Sequence, residues 1–167
     1  MKQDNTNSRI VVGAGEMKTF ADYREYPTVT VAGQMLALPI ERVHDVFVAS
    51  EITAVPLASR EIAGLLNLRG RVVTAVSLRR RLGLPDLEKV ERRMAVGLEH
   101  RGEAFGLLVD EVGEVLKLDP DALQPNPVHM DPEWAALSQG VHQLDGKLLI
   151  ILDVDAVLAF GAEVRAA

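Results

Sequence analysis

A pattern in the first half of the chain returns in the second, and this repetition restricts the available folds more than any other feature. The run Leu36-Ala37-Leu38-Pro39-Ile40-Glu41-Arg42-Val43-His44-Asp45-Val46 is echoed by Phe105-Gly106-Leu107-Leu108-Val109-Asp110-Glu111-Val112-Gly113-Glu114-Val115. Leu38/Leu107, Val43/Val112 and Val46/Val115 are identical, and acids recur at 41/110 and 45/114. Leu68-Arg69-Gly70-Arg71-Val72-Val73 is matched by Leu144-Asp145-Gly146-Lys147-Leu148-Leu149. Both echoes fall in the same order, which predicts two similar β-units with a groove between them. In each copy the apolar alternation changes parity, between Ile40 and Val43 and again between Val109 and Val112. Such a change turns the side chains to the other face, so it predicts a bulge or bend at a corner of each barrel.

The length of 167 residues fits one compact domain with two subdomains, able to bury roughly 70% of its unfolded surface without a staple. The absence of cysteine excludes disulfides, zinc–thiolate sites and iron–sulfur clusters. The start, Met1-Lys2-Gln3-Asp4-Asn5, lacks the apolar core of a signal peptide, and no apolar run reaches the ~18–20 residues of a membrane span. A soluble, cytoplasmic protein with no membrane insertion is expected. The net charge of −6 argues against general nucleic-acid binding. Charge is unevenly placed: residues 60–93 carry nine Lys/Arg against four acids, and residues 103–145 carry nine acids against one lysine. That split suits a partner of opposite polarity, or forms two solvated faces.

Residues 1–19 read as a flexible tail, and 161–167 as another. Thr28-Val29-Thr30-Val31 alternates as a strand with its turn at Ala32-Gly33-Gln34. Ser59 is placed to cap a short helix through Glu61, Ile62 and Leu65. Arg69-Gly70 reads as a turn before a strand over Val72 to Val76, and residues 86–93 as a charged linker. Asp119-Pro120 and Asp131-Pro132 carry the helix-start signature of an acid cap with proline at the first helical position. Leu148 to Leu152 has the length of a central strand, and Asp153 or Asp155 would cap a terminal helix. The pattern is all-β with few short helices, in approximate subdomains 28–85 and 94–155.

Catalytic signatures are not found in this sequence. Val12-Gly13-Ala14-Gly15-Glu16 resembles the start of a dinucleotide fingerprint, but Lys18 stands where the third glycine belongs. The histidines at 44, 100, 129 and 142 have no metal-ligand spacing, and no serine sits in a nucleophile elbow. No cofactor is expected. Arg79-Arg80-Arg81 reads as a solvated face rather than a phosphate site, and the basic segment lacks aromatic residues for base stacking.

The string Val55-Pro56, then Ile62-Ala63-Gly64-Leu65-Leu66-Asn67-Leu68-Arg69-Gly70-Arg71-Val72-Val73, resembles the CheW family of chemotaxis coupling proteins. The resemblance runs from about Thr28 to about Leu158 and includes Val109-Asp110-Glu111-Val112. It implies two five-stranded, SH3-like β-barrels packed together, with a C-terminal helix, in a CheW-like domain over 20–160. It also implies a scaffold without catalysis. Such a scaffold bridges the cytoplasmic tip of methyl-accepting chemoreceptors to the regulatory domain of a CheA-type histidine kinase, which shares the fold. The alternative is a protein- or RNA-binding barrel outside chemosensory signalling.

Carried across residue by residue, the resemblance implies receptor-binding roles for Val43, Asp45 and Arg69. Kinase-binding roles fall on Val46 and Gly64, and on Val128 and His129 at the other barrel end. The family usually has glutamate where Asp45 stands; a planar guanidinium at Arg69 would bind such a carboxylate bidentately. Thr74 and Ser77 replace a proline and an aspartate common in the family, whereas Asp153 is retained at the place equivalent to Ser77.

Overall fold

A computed structural model describes residues 8–11, 22–87 and 93–159. Among these residues eleven strands are formed: β1 (Ser8–Val11), β2 (Arg24–Val31), β3 (Gln34–Ala37), β4 (Val43–Ala49), β5 (Ile62–Leu68), β6 (Arg71–Ser77), β7 (Arg93–His100), β8 (Glu103–Val109), β9 (Glu111–Leu118), β10 (Ser138–Leu144) and β11 (Lys147–Leu152). Three short α-helices accompany them among the described residues, α1 (Leu78–Arg81), α2 (Pro132–Ala136) and α3 (Val154–Val157), with 3-10 turns at Ile40–Arg42 and Pro120–Ala122. Four hairpins turn on a two-residue step ending in glycine: Ala32-Gly33, Arg69-Gly70, Arg101-Gly102 and Asp145-Gly146. All eight residues have φ between 43° and 82°. Two successive left-handed residues match the twist of the flanking strands, which is why Xaa-Gly recurs there.

The strands form two sheets, in the orders β1-β9-β2-β3-β11-β10 and β4-β7-β8-β6-β5. Leaving β1 aside, one order becomes the other when β2–β6 are exchanged for β7–β11. The repetition in the sequence is therefore a repetition in space, but the sheets do not follow the halves of the chain. Each half sends two strands to one sheet and three to the other. The parity changes mark the places where the chain crosses between sheets, after β3 and after β8, rather than corners within one barrel. The division between subdomains 28–85 and 94–155 does not coincide with the division between the sheets. Neither sheet closes among the described residues, because β4 does not pair with β5, nor β1 with β10.

Packing follows the same symmetry. The largest apolar cluster lies between the sheets and takes Val29, Leu36, Leu38, Ile150 and Leu152 from one and Val76, Val96, Leu98 and Leu107 from the other. Each sheet also curls over a smaller cluster of its own. Leu116, Leu118, Leu149 and Ile151 fill the first, and Leu66, Val73, Ala75 and Leu108 the second. Burial of a leucine or valine side chain contributes about 1.5–3 kcal/mol, so these clusters hold the sheets together.

Several local expectations need correction. Ser8–Val11, assigned to the flexible tail, is a strand paired in parallel with β9. The helix expected from Ser59 does not form, because Ile62–Leu68 is taken up as β5 and pairs with β6; tertiary pairing overrides the capping signal. Asp119, Asp131 and Asp153 do act as caps, accepting backbone N–H bonds from Asp121, Glu133 and Ala156. Ser77 accepts from the Arg80 amide at the equivalent start of α1. The Gly13/Gly15 segment and most of the linker lie outside the described residues, as do both chain ends except Ser8–Val11.

Candidate docking surface

The family-derived positions separate into three places. Val43, Asp45 and Val46 lie on β4, an edge strand of the second sheet. Gly64 and Arg69 lie on β5 and its turn, at the opposite edge of the same sheet. Val128 and His129 are exposed in a turn before α2, closed by the Met130 amide bonding to the Pro127 carbonyl at 3.1 Å.

On β4, Val43 is half-buried and packs against the cluster between the sheets. Asp45 is exposed, with its carboxylate over Gly97 in the space a side chain there would fill. Val46 is 43% exposed and Val48 45% exposed, so the strand presents apolar side chains to solvent. A cleft runs between β4 and the β5–β6 hairpin, lined by His44, Asp45, Phe47, Leu68, Arg71 and Glu99 among others. A second cleft continues along the same gap beside Val48, Glu51, Leu65 and Asn67.

Arg69 stands at the hairpin tip with φ 52°, exposed, and makes no hydrogen bond or ion pair among the described residues. The pairing of Asp45 with Arg69 is not formed; the arginine that shares the cleft with Asp45 is Arg71. Sequence reasoning missed Arg71, although the second arginine of Asn67-Leu68-Arg69-Gly70-Arg71 was its signal. Gly64 is buried, with φ 152°, and a Cβ there would collide with the Thr53 carbonyl oxygen. Its absent side chain lets Thr53 bridge to Leu65 on the outer edge of β5. Gly140, with φ 148°, does the same beneath Gln124 in the first sheet. Sequence reasoning also missed Leu57, a fully exposed leucine at φ 64° in a turn that matches the Val128 turn.

The three consecutive arginines are not a solvated face. Arg79 donates from Nε and Nη2 to both oxygens of Asp110, at 2.8 and 2.7 Å. Arg80 donates from Nε and Nη2 to one oxygen of Asp86, Oδ2, and reaches the Ile62 carbonyl, while Arg81 donates to the Ala156 and Val157 carbonyls of α3. The Arg79 guanidinium holds the Asp110 carboxyl below its ordinary range, helped by the Ala32 amide. Among the described residues no cluster of His, Asp or Glu could hold a metal ion. Among the described residues no helix is long and apolar enough to cross a membrane.

The family model for the CheW-like domain matches residues 25–161. The chain belongs to that family. It is 31% identical over 145 residues to the chemotaxis protein CheW of Thermotoga maritima, covering 85% of this chain and 94% of that one. It is 28% identical over 144 residues to the chemotaxis protein CheW of Rhizobium meliloti, covering 86% and 92%. The crystal structure of the scaffolding protein TtCheW from Thermoanaerobacter tengcongensis superposes with a TM-score of 0.69 at 28% identity. It covers 78% of this chain and 89% of that one. Membership in the CheW-like family thus extends over both sheets and their shared core.

Proposed function

We propose that this CheW-like chain is a non-enzymatic adaptor of chemosensory signalling, acting in the cytoplasm, that couples chemoreceptor tips to a CheA-type histidine kinase. The observation that carries the reading is the family match over 25–161, which spans every strand from β3 to β11 and most of β2. The surface supports it. Asp45 and Arg69 are exposed, oppositely charged and free of internal ion pairs among the described residues, so both are available to a partner.

In this reading Val43, Asp45 and Arg69 face the receptor, with Arg71 lining the cleft beside Asp45. Val46 and the β5 edge shaped by Gly64 face the kinase regulatory domain, and Val128 with His129 offers a second contact from the other sheet. The receptor contact joins apolar surface with charge, so the charged groups set register and the valines supply burial. The kinase carries out phosphoryl transfer, and this chain positions it.

The test is calorimetric titration of the full chain with the regulatory domain of its own organism's CheA-type kinase, at two salt concentrations. Saturable binding at micromolar or tighter Kd supports the adaptor. No heat at tens of micromolar, with both proteins folded, moves the function to a β-module outside chemosensory signalling; oligonucleotide titration follows in that case.

A further inference from the structure

Among the described residues, five other than glycine have a positive φ: Ala32, Leu57, Arg69, Arg101 and Asp145. Four of them stand immediately before glycine at the tip of a hairpin, where the turn requires that backbone. Leu57, at φ 64°, is the exception. It follows Pro56 in a turn closed by the Ala58 amide, which donates to the Val55 carbonyl at 3.3 Å. Proline first and a positive φ second is the type II pattern, whose second place calls for glycine or asparagine. A leucine there is strained by its Cβ. No packing offsets the strain, because its side chain is fully exposed. Strain of this kind, held at the surface, is a pointer to function.

The second half of the chain carries the same device at the same spacing. Thr53 bridges the edge of β5, and Gln124 bridges the edge of β10. Pro56-Leu57 follows Thr53 at the interval at which Pro127-Val128 follows Gln124. Val128 is 94% exposed. Each sheet therefore has, beside a bridged edge, a proline-supported turn that holds one apolar side chain in solvent. Val55 adds a second apolar side chain to the Leu57 turn. A single exposed apolar residue needs no explanation, but a tip repeated by internal symmetry and strained in one copy does.

We infer that Leu57 is an anchor of the kinase contact, seated in an apolar recess of the regulatory domain of a CheA-type kinase. The inference rests on the adaptor reading above. Two positions given to the kinase in that reading select the partner. Gly64 opens the β5 edge to Thr53, and the segment that begins at Thr53 carries Leu57, so the tip continues that edge. Val128, its counterpart beside the other sheet, is the second kinase contact. Pro56 fixes the backbone before binding, so the leucine is presented with little ordering left to lose.

The experiment titrates the full chain and two variants into its own organism's CheA-type kinase, with thermal melts and sedimentation of each free chain. Leu57→Asn suits the backbone and removes the apolar group, whereas Leu57→Met keeps an apolar side chain of similar volume. Leu57→Asn is expected to raise Tm by about 2–4 °C and to weaken kinase binding about tenfold or more. Leu57→Met is expected to bind within about threefold of the wild type. A loss as large with methionine as with asparagine overturns the inference. So does a Leu57→Asn chain that loses self-association and keeps its kinase affinity, since the tip would then belong to a second copy. Wild-type binding matched by Leu57→Asn removes the inference alone. A wild-type chain that fails to bind the kinase removes the adaptor reading and the inference together.

Discussion

Arg79 and Asp155 occupy equivalent places in the two copies, each the second residue of the helix that follows the last strand of its copy. Each ties its helix to a segment where the chain crosses between sheets: Arg79 to Asp110 after β8, and Asp155 to Arg42 after β3. The link has the same place and the opposite polarity. It explains why one acid–base pair is hard to find by comparing the copies letter by letter.

Replacement of Arg79 by alanine leaves Asp110, with only 17% of its side chain exposed, holding a charge without its bidentate partner. A loss of about 2–3 kcal/mol is expected, lowering Tm by about 4–12 °C for a chain of this size. Arg42→Ala removes a pair whose Asp155 is 64% exposed and costs less than about 1 kcal/mol. Thermal melts of both variants test the order. The Asp110 carboxyl is depressed by Arg79, so its stabilisation is present above the ordinary carboxylate range and is lost as pH falls through the folded value. Arg79→Ala is therefore expected to flatten the acid limb of the stability profile.

Arg69 carries a left-handed backbone at φ 52° and no internal partner among the described residues. Arg69→Ala is expected to leave Tm within a few degrees and to abolish receptor binding; a fall beyond ~8 °C would mean that the residue is structural. Arg69→Gly relieves the backbone and raises Tm by about 2–4 °C while also abolishing binding. The two variants separate conformational cost from side-chain contact.

Gly64 sits where any Cβ meets the Thr53 carbonyl, at a φ that favours glycine. Gly64→Ala is expected to cost about 2–4 kcal/mol, seen as a shifted denaturation midpoint at unchanged slope. Reduced kinase binding by this variant would report a displaced β5 edge. Val46→Ala, on an exposed side chain, tests the contact itself and is expected to leave stability within about 1 kcal/mol.

His142 is buried in β10, and its Nε2 finds no hydrogen-bond partner among the described residues. Burial lowers its pKa, opposed by the Asp119 charge. The unfolded chain therefore takes up a proton before the folded one. Stability is full above about pH 6.5 and falls as pH drops toward the lower folded value. Denaturant titrations at pH 7.5 and 5.5 should show this loss, and His142→Leu should remove its share of the slope.

The hairpins and caps were legible because their signals are local. Xaa-Gly marked the turns it was read at, and Asp-Pro marked two helix starts. The repetition announced two like units, but alternation specifies which face is buried and not which strand lies alongside. The exchange of strands between the halves was therefore not legible. The same gap hid the role of Arg79, since Asp110 lies 31 residues away. At the candidate site the family pattern marked β4 and Arg69, whereas Arg71 emerges from the cleft and the collision at Gly64 from the bridge to Thr53.

The exchange also constrains how such a chain could arise and how it could be divided. Residues of β2–β6 alone supply two strands of one sheet and three of the other; β2 keeps β3 and β5 keeps β6, but β4 loses β7 and the pairs lose β8, β9 and β11 beside them. A single unit could complete both sheets only with a second unit, so the two halves of the polypeptide interlock in the manner of a strand-swapped dimer. Fragments carrying β2–β6 and β7–β11, made separately, should find their native form only in each other's presence.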